Sequence, residues 1–529
     1  MKRLYTIGVD IGGTNTDGVL IDEEENIVVV AKTPTTQDVV TGFCNVLVDI
    51  LDQAGIDSSS IRAVIVGTTH ATNAILQKLG LYKVGVVRVA GQNFDSPPPC
   101  YSWPEELRNA TYAGHVTIAG GFECHGSPIT SFCREQAKEG IQKLLKQGAE
   151  SLAVVGVFAP LNHEHELAVA NLVRELAGSD FPVSLSHKIS GIGFLERENS
   201  TILNASLKKI MGNGFCQLEK SCRVLGLQCP LFITQNNGCM IDLTDAVEYP
   251  VLTISAGPTN SFVGASRLAG LKDAIIVDIG GTSTDIGIIR KGQFRRSLNI
   301  SNIGGVMLNF PMPDVLSMGI GGGSYVDPYS SPIHIGPRSA GASLLTLSKC
   351  FGGDCLTLTD VALMYGHLTI PKASTDLIDL EKPLAKEILK DAIRHIEMHI
   401  AMMGAEQKDL PVILVGGGST ILPTELLDRR YIVPEHAQVA NAYGAALAGV
   451  SGVVDTVVSL NQQADVLKTL QEEAMEKAVV QGADKECLEI ADLQIIPYHY
   501  VPDRMARVII TVTGKKQIMK QQFYTKRNK

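Results

Sequence analysis

The chain has 529 residues, so a prior of roughly 150 residues per domain allows two to four domains. Apolar residues make up 45% of the chain and charged residues 19%, and the mean hydropathy is +0.14, which argues against disorder. Lys and Arg total 46 and Asp and Glu total 55, which leaves a net charge of −9. Since a mildly acidic chain has no electrostatic attraction to nucleic acid or to anionic membranes, we expect neither as a partner.

The eleven cysteines form no CxxC pair, and the amino terminus leads directly into a strand rather than into an apolar signal segment. No apolar stretch approaches the roughly 20 residues that span a bilayer. These features predict a cytoplasmic protein with reduced thiols.

Two segments of the chain repeat each other. Residues 7–21 read IGVDIGGTNTDGVLI and residues 275–289 read IIVDIGGTSTDIGII, with ten of the fifteen aligned positions identical. Each segment contains an apolar strand, a glycine turn and a second apolar strand. The repeat predicts two related lobes, each of which opens with the same hairpin.

Strands and helices alternate along the rest of the chain. Buried, β-branched runs predict strands at 63–66, 84–89, 152–158 and 412–415. Apolar periodicity predicts helices at 133–146 and 165–176. This alternation is typical of a parallel or mixed α/β sheet. Near residue 460 the pattern changes to a helix at 464–481, short strands at 493–497 and 506–512, and a basic tail.

The glycine turns have the composition of phosphate-binding loops, although they lead into a strand. A dinucleotide fingerprint or a Walker A loop would lead into a helix, and the chain has no GxxxxGK[ST] sequence. Glycines let the backbone approach a ligand closely and point N–H groups at an anion. The predicted phosphate-binding residues are Gly12, Gly13, Thr14, Asn15, Gly280, Gly281, Thr282 and Ser283.

An aspartate precedes each turn, Asp10 in the first segment and Asp278 in the second. A carboxylate repels phosphate unless a divalent metal lies between them, so both aspartates are predicted as catalytic residues that hold Mg²⁺. A third glycine loop follows the predicted strand at 412–415. Its bare backbone is suited to lie against a nucleoside, and its residues are Gly416, Gly417 and Gly418.

The three glycine loops, read in order as DIGGTNTD, DIGGTSTD and LVGGGST, resemble those of the actin, sugar-kinase and chaperone ATPase superfamily. Within it, the chain resembles the short branch of the hydantoinase A/5-oxoprolinase family over about its first 460 residues. Stretches that carry this resemblance are GTTHATNA at 67–74, PLNHEHE at 160–166, ENSTILNA at 198–205, QNNG at 235–238 and PEHAQVANAYG at 434–444.

The resemblance implies an α/β fold of two actin- or sugar-kinase-like lobes, with ribonuclease H-like sheets around a nucleotide cleft. The corresponding division of the chain is an N-terminal lobe at 1–190, a second lobe at 191–460 and a small C-terminal α+β extension at 461–529.

The resemblance also implies ATP-dependent opening of a cyclic amide such as a hydantoin, 5-oxoproline or a related lactam. The γ-phosphoryl group of ATP would move to the amide oxygen, and water would then attack the activated ring. ATP, Mg²⁺ and a small cyclic amide are the expected ligands. Because family members commonly act with a second subunit, a hydantoinase B-type partner is implied, and a homo-oligomer stays open. Carboxylation, a small-molecule kinase and an ATP-driven switch protein are the alternatives.

A polar turn after the strand at 63–66 supplies candidates for the substrate site, because such turns face the cleft in α/β folds. The candidates are Thr68, Thr69, His70 and Asn73. His70 is predicted either as a catalytic, proton-transferring group or as a packed structural histidine. Arg88 is predicted either to hold a substrate carboxylate or to form an ion pair at the surface of the lobe.

The sequence NHEHE at 162–166 fits two interpretations. Alternate histidines can bind zinc. Alternatively, Asn162 caps a helix whose first turn carries acidic residues, and this is the interpretation that we favour.

Overall fold

A computed structural model gives the fold and describes residues 3–35, 39–91, 94–124, 126–296, 301–309, 312–404, 409–428, 430–498 and 504–517. Most of the predicted basic tail lies outside the described residues. Among the helices in these ranges, none is long and apolar enough to cross a membrane.

The strands, numbered in chain order, are β1 (Tyr5–Ile11), β2 (Asn15–Ile21), β3 (Ile27–Pro34), β4 (Ile61–Thr68), β5 (Val84–Ala90), β6 (Tyr112–Ala119), β7 (Ser151–Gly156), β8 (Val183–Leu185), β9 (Leu231–Thr234), β10 (Met240–Asp242), β11 (Ala274–Ile279), β12 (Thr284–Arg290), β13 (Gln293–Phe294), β14 (Ser301–Ile303), β15 (Val306–Leu308), β16 (Leu316–Met318), β17 (Ser324–Asp327), β18 (His334–Ser339), β19 (Val412–Val415), β20 (Tyr431–Ile432), β21 (Val450–Ser459), β22 (Glu489–Pro497) and β23 (Met505–Gly514).

The α-helices are α1 (Val39–Ala54), α2 (His70–Gln77), α3 (Glu105–Thr111), α4 (Arg134–Lys146), α5 (Glu164–Ala177), α6 (Phe194–Val224), α7 (Leu243–Glu248), α8 (Ala256–Ala269), α9 (Leu344–Leu347), α10 (Leu358–Tyr365), α11 (Lys382–Met402), α12 (Ala440–Ala446) and α13 (Gln463–Val480).

The first sheet has the strand order β10-β9-β4-β1-β2-β3. β1 and β2 form an antiparallel hairpin, β4 lies parallel to β1, and β9 lies parallel to β4. β1 and β2 are buried along almost their whole length, because helices cover both faces of the sheet. Away from the polar residues beside the turn, their sequences are mainly apolar, as expected for strands that are covered on both faces.

The second sheet, ordered β13-β12-β11-β19-β20, repeats the arrangement of the first. β11 and β12 form the corresponding hairpin, and β19 lies parallel to β11 as β4 does to β1. The prediction of two related α/β lobes that each open with the same hairpin is confirmed.

A separate parallel sheet, ordered β6-β5-β7-β8, lies between β4 and β9 in the chain. After it, the long helix α6 leads back to β9 and β10, which rejoin the first sheet. A lobe boundary at residue 190 separates these two strands from the rest of their sheet. We therefore keep the three-part division only as a proposal, in which residues 231–242 belong with the first lobe.

The C-terminal extension consists of α13 packed on the antiparallel sheet β21-β23-β22. The helix and the two strands predicted after residue 460 are present as α13, β22 and β23. The extension also includes β21, which begins at Val450, so it starts earlier than residue 461.

Helices α8 and α12 cross in direct backbone contact, which requires glycine on both of them. A Cβ on Gly264 would lie 1.8 Å from the carbonyl oxygen of Ala440, and a Cβ on Gly444 would lie 1.8 Å from that of Asn260. Gly8 of β1 similarly admits the backbone of α12, since its Cβ would lie 2.2 Å from the Ala442 carbonyl oxygen. These contacts hold Asn260 of α8, and the residues of α12 that face it, close to the first hairpin.

Candidate functional site

The two glycine turns share one backbone geometry. The N–H of Gly12 donates to the carbonyl of Asn15 at 3.1 Å, and the N–H of Gly280 donates to that of Ser283 at 2.8 Å. The turns also lie close together, because a Cβ on Gly281 would come within 2.9 Å of the Thr14 hydroxyl. The two turns therefore form opposite walls of one cleft.

Unused backbone donors line this cleft. Within the described part of the chain, four turn residues have N–H groups with no protein acceptor, namely Gly13, Thr14, Gly281 and Thr282. Clusters of free N–H groups in glycine turns bind anions such as phosphate. The predicted phosphate-binding residues are thus brought together on both sides of the cleft.

Two glycine triplets hold the second turn in place. N–H groups of the triplet 321–323 bond the carbonyls of Gly280 and Gly281 at 2.9 and 2.7 Å, and the triplet 416–418 bonds the Ile279 carbonyl at 2.7 Å. The predicted nucleoside loop, Gly416–Gly418, therefore lies directly beside the second turn. The three consecutive glycines at 321–323 could have pointed to this role, but the sequence analysis did not assign them to the site.

Asp10 lies at the inner end of the cleft, with only 3% of its surface exposed. Its Oδ2 accepts a hydrogen bond of 2.8 Å from the Asn441 amide of α12, whereas its Oδ1 has no partner in the described ranges. Burial, reinforced by the carboxylates of Asp17 and Asp278, raises the pKa of Asp10 to about 7. An orphaned, buried carboxylate oxygen of this kind is suited to take a cation.

Asp278 has an equivalent position in the second lobe. Burial raises its pKa to about 6, and the carboxylates of Asp285 and Asp17 add to this effect. Each aspartate stands directly across its hairpin from a second one, so that Asp10 pairs with Asp17 and Asp278 with Asp285. Like charges directly opposite each other are destabilising. A bound cation would relieve that repulsion.

The carboxylates fit a magnesium ion that is only partly coordinated by protein. The described residues contain no group of three or more His, Cys, Asp and Glu side chains that could hold a metal. Mg²⁺ is typically bound through one or two carboxylates, with substrate phosphates and water as its other ligands. Two glycines leave space for such ligands. A Cβ at Gly67 would lie 2.7 Å from Asp10 Oδ1, and a Cβ at Gly416 would lie 2.1 Å from Asp278 Oδ1.

Lys32 of β3 is a further cleft residue that sequence reasoning missed. Its ammonium group bonds Asp17 at 3.0 Å and reaches the third loop, where a Cβ on Gly417 would lie 3.1 Å from it. No sequence signal marked Lys32. Asn441, which bonds Asp10, lies in the stretch PEHAQVANAYG that carried the resemblance, but the sequence analysis did not assign it to the site. Asp17 and Asp285 did carry a signal, since both copies of the repeat contain them.

Two of the predicted substrate-site residues lie on the wall of a largely apolar pocket of about 360 Å³, whose wall also includes Ile11 at the end of β1 and the polar side chains of Lys209, Asn213 and Gln217. Thr68 and His70 line it at the start of α2, where the Thr68 hydroxyl accepts the His70 N–H at 3.0 Å. Thr69 accepts a bond of 3.2 Å from the Asn73 amide. Other lining residues are Ile11, Val40, Ile210, Met211, Phe215 and Leu218. Burial lowers the pKa of His70, so its ring is neutral at pH 7.

Arg88 lies apart from this group, in the inserted parallel sheet. Its guanidinium forms a two-bond ion pair with Glu198 at 2.6 and 2.7 Å and donates to the Pro97 carbonyl at 2.7 Å. Of the two predictions for Arg88, the structure shows the ion pair, but in the interior rather than at the surface, because Arg88 is 2% exposed.

The NHEHE segment begins α5 with acidic residues in the first turn, as predicted, but the N-cap is His163, whose side chain makes no capping bond, rather than Asn162. The Asn162 side chain accepts the N–H of Glu164 at 3.1 Å, and Glu164 and Glu166 lie in the first turn. Glu166 is an exception to a solvated first turn, because it is buried and bonded to residues that follow β8.

Comparison with known families and proteins agrees with the resemblance read from the sequence. The model described as "Hydantoinase/oxoprolinase N-terminal region" matches residues 6–177, and the model described as "Hydantoinase/oxoprolinase" matches residues 197–389. Together they cover more than half of the chain.

Among curated relatives, caprolactamase subunit alpha of Pseudomonas jessenii is 26% identical over 90% of this chain and 76% of its own length. Acetophenone carboxylase gamma subunit of Aromatoleum aromaticum is 27% identical over 74% of this chain and 57% of its own length. The 5-oxoprolinase of Saccharomyces cerevisiae is 24% identical, and this chain covers 27% of it.

Two solved structures share the whole architecture. The ATP-dependent caprolactamase from Pseudomonas jessenii superposes with a TM-score of 0.77 at 23% identity, over 97% of this chain and 88% of that one. Nucleotide-free acetone carboxylase gives a TM-score of 0.71 at 18% identity over the same shares. At these identities the likeness establishes the fold.

Proposed function

This chain belongs to the hydantoinase/oxoprolinase family, and we propose that it couples ATP hydrolysis to the opening of a cyclic amide. The observation that carries this proposal is the pair of matching glycine turns, each preceded by an aspartate of raised pKa, Asp10 buried and Asp278 half-buried. ATP-dependent relatives act on caprolactam and 5-oxoproline, as their names state. Because carboxylases are also among the relatives, the opening of an amide is itself part of the proposal.

In this proposal the free N–H groups of both turns bind the phosphates of ATP, and the loop Gly416–Gly418 lies against the nucleoside. Asp10 and Asp278 hold Mg²⁺, which when bound neutralises phosphate charge and polarises the γ-phosphoryl group. Lys32 adds a positive charge on the first lobe. The chain's contribution is to align the phosphates and exclude water, which is the main requirement of phosphoryl transfer.

The apolar pocket next to the first turn is the proposed substrate site. Its volume of about 360 Å³ suits a small ring, and its apolar lining suits the methylene groups of a lactam. Thr68, which lines the pocket, would contact the amide group. A neutral His70 can accept the proton that the ring nitrogen loses when the amide oxygen is phosphorylated.

The test is phosphate release from Mg²⁺-ATP by the purified chain, with and without a panel of lactams, hydantoins and 5-oxoproline. We expect a subset of these compounds to stimulate phosphate release and to appear as ring-opened products in the same reaction. An isolable phosphorylated compound would instead identify a kinase. Nucleotide binding without turnover on any compound would contradict the proposal and favour a switch protein.

One glycine in the pocket offers a selective block. Gly214 lines the pocket and a Cβ there would meet nothing within 4 Å, so Gly214→Leu is the variant chosen to occupy the pocket. We expect this variant to lose the stimulation by the cyclic amide while it binds ATP as before. Gly212→Ala, on another face of the same helix, is the matched control and is expected to behave as the unaltered chain.

Two further parts of the proposal concern assembly and location. Stimulated phosphate release without ring opening points to a missing hydantoinase B-type subunit, which co-purification of the tagged full chain would reveal. A homo-oligomer is tested by light scattering. A cytoplasmic location is supported by eleven cysteines that are all unpaired in the fold.

A further inference from the structure

The crossing helices α8 and α12 bear the same relation to the two sheets. α8 packs on the second sheet through Phe262 and Ala265, and α12 packs on the first sheet through Ala442 and Tyr443. Since the two sheets repeat each other in strand order and pairing, the helices that cover them are equivalent elements of the two lobes. We therefore expect equivalent positions of α8 and α12 to lie at the two aspartates of the cleft.

One side chain from each helix does reach an aspartate. Asn441 of α12 donates from Nδ2 to Asp10 Oδ2 at 2.8 Å. On α8, the hydroxyl of Ser261 interacts with the carboxyl of Asp278, although without the geometry of a full hydrogen bond. The contact in the first lobe is therefore the better defined of the two.

The two side chains occupy the same position relative to the crossing. Asn441 lies three residues before Gly444, and Ser261 lies three residues before Gly264. These glycines are the ones at which each helix touches the main chain of the other. In both lobes, about one helical turn thus separates the contact with the aspartate from the contact between the helices. The crossing places a polar side chain at each aspartate by one and the same rule.

The hydrogen bonds of Asn441 determine which way its amide group faces. Its Oδ1 accepts the N–H of Ala442 at 2.9 Å, so Nδ2 is the atom turned toward the carboxylates. The same amide also interacts with Asp17, which stands across the hairpin from Asp10. Because an amide is a neutral donor, it holds these carboxylates without cancelling their charge, as a lysine would.

This contact engages one oxygen of Asp10 and leaves the other one. Oδ1 of Asp10 has no partner among the described residues, and a Cβ on Gly67 would lie 2.7 Å from it. Since Oδ2 is held by Asn441, the carboxylate is hindered from turning about its Cβ–Cγ bond, and Oδ1 keeps one direction. Mg²⁺ takes few of its ligands from the protein, so the direction of each carboxylate oxygen matters.

We propose that Asn441 is a positioning residue for the metal of the cleft, which holds Asp10 Oδ2 and so presents Oδ1 to Mg²⁺. The inference rests on the part of the proposed function that places Mg²⁺ at Asp10, and it does not depend on which compound receives the phosphoryl group. Loss of a hydrogen-bond partner that orients a metal ligand typically weakens metal binding about 10- to 100-fold.

The test compares ADP binding by the full chain in Mg²⁺ and in EDTA, measured by isothermal titration. ADP has no γ-phosphoryl group to transfer, and at pH 9 the solution is well above the folded-state pKa of Asp10 and of Asp278. The ratio of the two affinities measures the contribution of the metal. We expect Asn441→Leu to lower this ratio about tenfold or more. The affinity in EDTA should stay the same, because the free N–H groups of the glycine turns do not involve Asn441.

A second variant and a control make the test independent of the folding of Asn441→Leu. Asn441→Ala removes the same donor without placing a branched side chain beside the carboxylates, and the same fall in the ratio is expected. Asn171→Leu, on the exposed face of α5, is the matched control and should keep both affinities. A general loss of structure lowers both affinities together, whereas loss of metal positioning lowers only the affinity in Mg²⁺.

The outcomes separate this inference from the proposed function. An unchanged ratio in Asn441→Ala, or an equal fall in Asn171→Leu, would overturn the role of Asn441 even in a chain that opens cyclic amides. An unaltered chain whose ADP affinity does not respond to Mg²⁺ would overturn it together with the metal assignment. The expected fall in a chain that opens no cyclic amide would support the role of Asn441 while the proposed function fails.

Discussion

The two glycine hairpins have the same turn but different surroundings. The second turn is held by other loops, since two glycine triplets bond the carbonyls of residues 279–281. The first is held from its own sheet, because Thr35 bonds the Gly12 and Thr14 carbonyls, each at 2.9 Å. The first hairpin also borders the apolar pocket, whereas the second borders the loop Gly416–Gly418.

This difference suggests how a repeated unit acquires two tasks. The turn geometry and the leading aspartate are the same in both lobes, as they must be if both bind phosphate. Under the proposed function, the neighbouring segments differ because the two ends of the ligand differ. The second hairpin would then serve the nucleotide, and the first the group that receives the phosphoryl. The predictions below test whether the two halves are unequal in this way.

Removing either aspartate should have the largest effect. We expect Asp10→Asn and Asp278→Asn to lower ATP turnover by roughly 10²- to 10³-fold, the loss typical when one group that stabilises transferred charge is removed. Asp10→Asn should lose more, because Asp10 Oδ1 is the oxygen without a protein partner. Steady-state phosphate release is the measurement, and Asp273→Asn, exposed at the start of β11, is the control. Unchanged turnover in both variants would refute the metal assignment.

Adding one methyl group should destabilise the chain much more at Gly416, in the packed loop beside the second turn, than at Gly13 in the first turn. At Gly416, where φ is +86°, a Cβ would lie 2.1 Å from Asp278 Oδ1, so Gly416→Ala should lower the free energy of unfolding by about 3 kcal/mol. At Gly13 a Cβ meets nothing within 4 Å, and Gly13→Ala should cost less than about 0.5 kcal/mol. Urea denaturation compares them, and similar losses would contradict the difference in packing.

The pH dependence of stability should distinguish the two aspartates. Both have folded-state pKa values above the ordinary 3.8, about 7 for Asp10 and about 6 for Asp278. Above pH 4 the folded chain therefore binds more protons than the unfolded chain. The stabilisation from each carboxyl is complete below pH 4 and is lost as the pH rises through its folded value, at up to about 1.4 kcal/mol per pH unit.

Of these two aspartates, Asp10 is the one that still titrates between pH 6 and 7. Asp10→Asn is thus expected to flatten the stability curve in this interval, whereas Asp278→Asn flattens it only between pH 4 and 6. Denaturant midpoints measured in EDTA, so that no metal competes with protons, provide the test. A curve that both variants alter identically would show that the two sites are equivalent.

The smallest expected effect is that of Lys32, which has no equivalent on the second hairpin, where Ser317 bonds Asp285 at 2.5 Å. We expect Lys32→Met to weaken ATP binding about tenfold, or about 1.4 kcal/mol. Isothermal titration with ATP measures this, with the exposed Lys272→Met as control. Equal affinities of both variants would remove Lys32 from the site.

The fold could be predicted from the sequence where its signals were local or repeated. The repeat at 7–21 and 275–289 identified both hairpins, and β-branched runs identified β4, β5, β7 and β19. The two strands by which the chain rejoins the first sheet, β9 and β10, could not be predicted in this way. β9 and β10 are short, and the inserted sheet separates them in sequence from the strands they join.

The glycine-rich parts of the candidate site could be predicted from the sequence, because glycine turns preceded by aspartate are typical of phosphate and metal sites. Lys32 lies on β3, whose sequence has no such pattern, so only the packing of β3 reveals it. Asn441 stands in a stretch that carried the resemblance, but its bond to Asp10 depends on the packing of α12. For Arg88 the sequence could not choose between a substrate carboxylate and an ion pair. The reason is that its partner, Glu198, lies on a helix that is distant in the sequence.

The backbone crossing of α8 and α12 has a mechanical consequence. Between these helices no layer of side chains can slide or repack, since Gly264 and Gly444 each touch the opposite main chain. The crossing therefore fixes the distance between the two helix axes. Even a methyl group at either glycine would have to push the helices apart, so the position of Asn441 beside Asp10 depends on two residues that touch no ligand.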